Sequence, residues 1–142
     1  MFEKYTEKAR RAIFFSRWEA GEYGAIAIDT EYLLLGLLRE DGTLTERFSS
    51  LRESMRLIRE HIEQNATKRT RIQESVDIPL SKSYQAVLLH SANEANQLNS
   101  KDIDTKHLLL GILREERSPA AKILMEIGLT YSTVRENILN EN

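Results

Sequence analysis

The chain has 142 residues, 20 of them Lys or Arg and 22 Asp or Glu, for a formal net charge of −2, and it has no cysteine. That is the size of one ordinary domain able to bury its own core, and the missing cysteine excludes disulfides, thiolate metal sites, iron–sulfur clusters and a cysteine nucleophile while suiting a reducing, cytoplasmic setting. Interspersed acids and bases give no bulk attraction to polyanions, and neither the charged N-terminus nor the longest apolar run, Tyr32 to Leu38, offers a signal core or a membrane span, so nucleic acid and membrane are not expected partners.

With only two prolines and six glycines, long helices joined by short turns are expected. From Thr6, an N-cap, the residues Ala9, Ala12, Ile13, Ser16 and Ala20 recur at three- and four-residue steps and predict a first helix ending near Gly21 to Gly24. Trp18, Phe14 and Phe15 are expected at or near the core. A second helix follows at Ile28-Asp29-Thr30-Glu31, with Thr30 read as its N-cap, Glu31 in the first turn and Arg39 in the last. Its middle is apolar all round, so it should lie among neighbours. Gly36 in its interior costs roughly 1 kcal/mol against Ala, which points to close approach of another helix.

A short helix with Leu44, Phe48 and Leu51 is expected next, then a fourth opened by a capping box at Ser50-Leu51-Arg52-Glu53 and lined by Met55, Ile58 and Ile62. Residues 65–76 show no apolar period and read as a solvated connection; the basic tract Lys68-Arg69-Thr70-Arg71 within them has no interleaved aromatics and reads as part of it. Ser81 opens a fifth helix with Tyr84, Val87, Leu88, Ser91 and Ala95 on one face. The second helix then recurs as Ile103-Asp104-Thr105-Lys106-His107-Leu108-Leu109-Leu110-Gly111-Ile112-Leu113-Arg114-Glu115, with Thr105 standing 75 residues after Thr30. Ser118-Pro119 is a cap with proline at the first helical position, and Val134, Ile138 and Leu139 line the last helix. An internal duplication is the organising fact: an all-α, eight-helix bundle of two tandem, pseudo-twofold four-helix repeats, repeat one over 1–64 and repeat two over 77–142.

The two Asp-Thr-x-x-Leu-Leu-Leu-Gly copies, the Phe2-Glu-Lys-Tyr-Thr-Glu-Lys-Ala9 segment before them and Ala120-Ala-Lys-Ile-Leu124 after them resemble the double Clp repeat, the N-terminal domain of Hsp100/Clp unfoldases, most of all its ClpC branch. The resemblance covers essentially the whole chain. It implies a non-catalytic, cofactor-free module that receives protein substrates or adaptor proteins above an ATPase ring feeding a protease; the alternative is a free-standing Clp-repeat accessory protein that modulates such a protease. The chain has no glycine-rich phosphate loop ending in Lys-Ser or Lys-Thr, so it is not expected to be an enzyme by itself.

In ClpC-like proteins a glutamate after each second-helix threonine helps receive arginine-phosphorylated substrates. Here the first is Glu31 and the second is Lys106, which repels a guanidinium but can meet phosphoryl oxygens. Thr6 and Ser81 head helices whose amides can bind a phosphate, and Phe2 and Tyr5 either form an aromatic edge for a peptide or pack over the first helix. Each candidate has a plainer reading: Glu31 as an acid at a helix N-terminus, worth ~0.3–1 kcal/mol, and Lys106 as merely tolerated there. His61, His90 and His107 are scattered, and His90 with Glu94 lacks a third ligand, so no metal is expected.

Overall fold

The computed structural model describes residues 3–65, 71–73 and 76–141. Among them, eight helices form: α1 (Glu7–Glu22), α2 (Thr30–Glu40), α3 (Gly42–Arg47), α4 (Leu51–Asn65), α5 (Lys82–Gln97), α6 (Thr105–Arg114), α7 (Pro119–Glu126) and α8 (Tyr131–Leu139). The repeated helices α2 and α6 are central, as an all-round apolar sequence requires: Leu33 to Leu35 and Leu37, like Leu108 to Leu110 and Ile112, are sealed from solvent. The glycine expectation holds in both. A Cβ on Gly36 would stand 2.2 Å from the Ala12 carbonyl oxygen, and one on Gly111 would stand 2.2 Å from Ser91 Oγ and 2.7 Å from the Val87 carbonyl oxygen. The missing side chains let α1 lie against α2 and α5 against α6.

The two halves exchange their leading arms. The Thr6 amide donates to the Ile103 carbonyl at 2.9 Å and the Ile103 amide to Lys4 at 2.8 Å; 75 residues on, Ser81 donates to Ile28 at 2.9 Å and Ile28 to Pro79 at 2.8 Å. Each arm therefore pairs, in parallel, with the stretch that leads into the central helix of the other half. Tyr5 thus crosses to the second half instead of folding over α1. Deeper in, α7 packs against α2 and α4 of the first half, and the Tyr84 hydroxyl on α5 meets Ser16 Oγ on α1 at 2.7 Å, wholly buried.

Four local expectations change. The N-caps of α2 and α6 are Asp29 and Asp104, not the threonines after them, because an ionised carboxylate is the better acceptor for the amides of Thr30 and Thr105, at 2.8 Å each. The freed threonine hydroxyls join the halves: Thr30 Oγ1 accepts the Ala120 amide at 3.2 Å, and Thr105 Oγ1 donates to Asp41 Oδ2 at 2.5 Å. Glu53 turns to Arg56, at 2.9 Å, in place of closing a box on Ser50. Phe14 is 61% exposed and no part of the core, while Phe15 and Trp18 are half-buried under the Arg39 guanidinium, 4.1 and 5.0 Å from their ring centres. The described part of the connection is pinned down: the Ile72 amide donates to Gly21 at 2.9 Å, Ile72 packs on the core, and Arg17 holds the Gln73 carbonyl. Lys68, Arg69 and Thr70 lie outside the described residues; Arg71 pairs with Glu22.

Candidate functional site

The exchanged arms create a surface feature. Between the arm residues Tyr5 and Leu80, the Ile103 segment and the outer face of α5 lies an open groove of about 690 Å³, lined by Leu88, Leu89 and Ala92 among others. Leu89 is 75% exposed at its edge. A single exposed leucine is ordinary on a protein surface, but this one continues the apolar lining of the groove. Half-burial of Tyr5 pushes its phenol above its ordinary value, so it presents a neutral hydroxyl. Phe2 lies outside the described residues.

The equivalent face of the first half is built differently. Phe14 stands at the position equivalent to Leu89, but Arg17 replaces Ala92, and its guanidinium is bonded to the carbonyls of Gln73 and Val76 at 2.9 and 2.5 Å. Pairing the halves residue by residue would have revealed Phe14 and Leu89: a large apolar residue on the same outward face of both first helices. Reading each helix alone assigned Phe14 to the core.

Thr6 and Ser81 sit where the arms cross. Their hydroxyls accept from the amides of Ala9, at 3.2 Å, and Tyr84, at 3.0 Å, and donate to the carboxylates of Asp104, at 3.0 Å, and Asp29, at 2.8 Å. Each hydroxyl is thereby committed to a helix cap and to the opposite half, and each is partly exposed beside the groove-forming arms.

Glu31 and Lys106 occupy equivalent positions in opposite environments. Glu31 is buried in the first turn of α2, with Oε2 3.6 Å from His61 Nε2 on α4 and Oε1 without a hydrogen-bond partner. Burial, helped by neighbouring Asp29, pushes its carboxyl up to about 7. At 3.6 Å His61 is beyond hydrogen-bond range, so it leaves the acid to its surroundings. Lys106 is half-buried and reaches Glu141 Oε2, 3.4 Å away, beyond the end of α8; Arg47 holds the other carboxylate oxygen at 2.8 Å. The structure does not bring Glu31 and Lys106 into one cluster: one faces α4 and the other α8.

His90 and Glu94 do not converge either. His90 pairs with Glu115 at 3.2 Å, whereas buried Glu94 takes Arg114 at 3.1 Å and the Tyr131 hydroxyl at 2.8 Å. Its counterpart Glu19 is also buried and is held by an arginine from α4, Arg59 at 3.2 Å, so the buried acid recurs in both halves with this arginine drawn from a different element. Among the described residues no group of three or more His, Asp or Glu is placed to hold a metal, and no helix is long and apolar enough to cross a membrane.

The model of the Clp repeat (R) N-terminal domain matches residues 4–138. The chain is 34% identical over 140 residues to the chaperone protein ClpC2, chloroplastic, of Arabidopsis thaliana, covering 98% of this chain and 15% of that protein. It is likewise 34% identical over 140 residues to the ATP-dependent Clp protease ATP-binding subunit ClpA homolog of Guillardia theta, covering 98% and 17%. The chain thus spans about one-sixth of the length of the curated relatives it matches. Among solved structures, the N-terminal domain of the chaperone ClpD of Arabidopsis thaliana superposes with a TM-score of 0.70 at 24% identity, over 98% of this chain and 94% of that one. The Hsp104 N-terminal domain of Candida albicans gives 0.73 at 14% identity, over 97% and 91%. Those two likenesses speak for the fold, and the family match and the 34% relatives speak for descent: the chain belongs to the Clp repeat N-terminal domain family.

Proposed function

We propose that this domain is a non-catalytic receiving module, which binds protein substrates or adaptor proteins for a Clp unfoldase and its protease, in a reducing, cytoplasmic-type compartment. The observation that carries the reading is the apolar groove beside the crossed arms, with Leu89 exposed at its edge. It offers an extended or unfolded peptide an apolar floor, and Tyr5, Lys4 and Glu3 supply polar groups along one side. Thr6, Ser81 and Tyr5 are assigned to this surface as contact residues, and Phe2, outside the described residues, is proposed as a contact residue without a place on it. Glu31 is assigned to a phosphoarginine guanidinium, in competition with its burial, and Lys106 to oxyanions, so arginine-phosphorylated substrates are expected to engage at one half only.

Fluorescence anisotropy with an unfolded polypeptide and with an arginine-phosphorylated peptide and its unmodified twin tests this. Leu89→Asp, on an exposed position, should weaken peptide binding about tenfold, the equivalent of ~1.4 kcal/mol of lost apolar contact. Glu31→Ala should reduce any preference for the phosphorylated peptide and Lys106→Glu should increase it. Unchanged affinity in Leu89→Asp removes the groove from the reading, and identical binding of the twins in every variant removes phosphoarginine.

A further inference from the structure

Arg39, in the last turn of α2, is exposed, and its guanidinium touches two ring faces on α1, 4.1 Å from the centre of Phe15 and 5.0 Å from that of Trp18. Among the described residues it makes no hydrogen bond or ion pair, so its N–H groups are unspent. Phe14, 61% exposed, stands edge-on to Phe15 with the ring centres 5.4 Å apart. An aromatic surface and one uncommitted cation thus share a single face.

The second half shows that the duplicated framework does not require this. Arg114, at the place of Arg39, turns inward to Asn93 and buried Glu94, at 3.1 Å each, and His90 pairs with Glu115 at 3.2 Å. In the first half Phe15 stands at the place of His90 and Trp18 at that of Asn93, so ring faces replace polar partners. The buried acid Glu19 is held by Arg59, at 3.2 Å. Arg39 is thereby released from the interior and laid on the rings.

A guanidinium fixed in this way has lost much of its rotamer freedom before a ligand arrives, so binding costs less ordering. With one face against the rings, its N–H edge is what remains for a partner, and that edge matches the two oxygens of a planar carboxylate. A dianionic phosphoryl group calls for a second cation, but Arg11, one turn before Phe15, is committed to Glu7 and Glu40. Phe14 asks for an apolar side chain beside the acid. An extended segment sets side chains of one face about 7 Å apart, the scale of the step from the guanidinium across Phe15 to Phe14.

We propose that Phe14, Phe15 and Trp18 on α1, with Arg39 on α2, dock an extended segment of a protein partner in which an Asp or Glu and an apolar residue stand two apart, the carboxylate on Arg39 and the apolar side chain on Phe14. This surface shares none of the lining residues of the groove on α5.

Trp18 is the one tryptophan of the chain, so its emission reports on this face. The probes are the peptide Gly-Asp-Ser-Leu-Glu-Ser-Phe-Gly and its twin with Asn and Gln for Asp and Glu, followed by Trp18 emission in the wild type and by anisotropy of dye-labelled peptide in the variants, at constant ionic strength. The acidic peptide should shift Trp18 emission saturably, and the twin should bind about tenfold more weakly, the size expected for a charge-assisted pair. Arg39→Gln should bring the acidic peptide to the level of its twin, and Arg39→Lys, which keeps the charge but not the planar fork, should lose most of the difference. Phe14→Ser should weaken both peptides by about threefold or more, and Leu89→Asp should change neither. Matching circular dichroism establishes that each variant is folded. A silent Trp18, equal binding of the twins, or wild-type binding by Arg39→Gln overturns the proposal. Loss in Leu89→Asp with Arg39→Gln unaffected assigns the peptide to the groove, which overturns this surface and leaves the receiving-module reading standing. A phosphoserine peptide that binds tenfold more tightly than the acidic one overturns the carboxylate assignment. Trp18 emission that changes with protein concentration alone gives the face to a second copy of the chain and overturns the proposal as well.

Discussion

Glu31 pairs an unpartnered buried oxygen with a pKa near 7. An acid whose folded pKa is raised binds its proton more tightly in the native state, so its contribution to stability is complete below about 4.5 and is lost as pH rises through about 7. Glu31→Gln keeps the shape and removes the titration. The variant is expected to have a flatter stability profile between pH 5 and 8 and to be more stable than wild type at pH 8 by about 1–3 kcal/mol. Urea unfolding at a series of pH values checks this, and parallel profiles for the two proteins would contradict it. Little of this was legible in the sequence. Glu31 and Lys106 were legible as the place where the two halves diverge, since duplication supplies its own reference. The depth at which Glu31 lies is set by His61 and α4, thirty residues away, and no local pattern encodes it.

Helices were the most legible level, because apolar residues at three- and four-residue steps report a face directly and appear twice. Their boundaries depended on a contest that composition does not settle: in each Asp-Thr pair either side chain can cap, and the charged one wins, which releases threonine for the contact between halves. The central glycines read correctly, and their surroundings separate them. Ala would gain about 1 kcal/mol of helix propensity at either site, against an overlap typically costing 1–3 kcal/mol. At Gly36 the obstructing atoms are the Ala12 backbone, which yields only if α1 moves off α2. At Gly111 the first obstacle is Ser91 Oγ, itself bonded to the Val87 carbonyl at 2.7 Å. Gly36→Ala, where the obstacle is backbone and the overlap cost lies at the upper end, is therefore expected to lose about 2 kcal/mol by chemical denaturation. Gly111→Ala should lose a similar amount, of which Ser91→Ala in the same chain returns about 1 kcal/mol. A stabilised Gly36→Ala would mean that the α1–α2 contact is looser than described.

At the scale of the molecule, the two halves are tied by bonds that span 52 to 98 residues of sequence: Ser81 to Asp29, Thr105 to Asp41, Thr30 to Ala120 and Thr6 to Asp104. Burial alone would push the Asp41 carboxyl up, but hydrogen bonds from Thr105 and Thr43, with Lys8 nearby, outweigh it and hold the group below its ordinary range, so this link stays charged and strong. Because each cap hydroxyl also donates to a carboxylate of the opposite half, the two cap networks are linked, and the chain should unfold as one unit. Thr6→Val removes a cap and a bridge together and is expected to cost about 1–2 kcal/mol; Ser81→Ala removes the equivalent pair and should cost much the same. The decisive readout is native-state hydrogen exchange. If the halves are one cooperative unit, Thr6→Val lowers the protection of the slowest amides in α2 and in α6 by equal free energies, although the substituted residue lies on the arm leading into α1. Ser81→Ala, on the other arm, does the same. Loss confined to α1 and α2 in the first variant and to α5 and α6 in the second would show two independently stable repeats, with the crossed arms as a seam and the groove beside them free to open without unfolding either half.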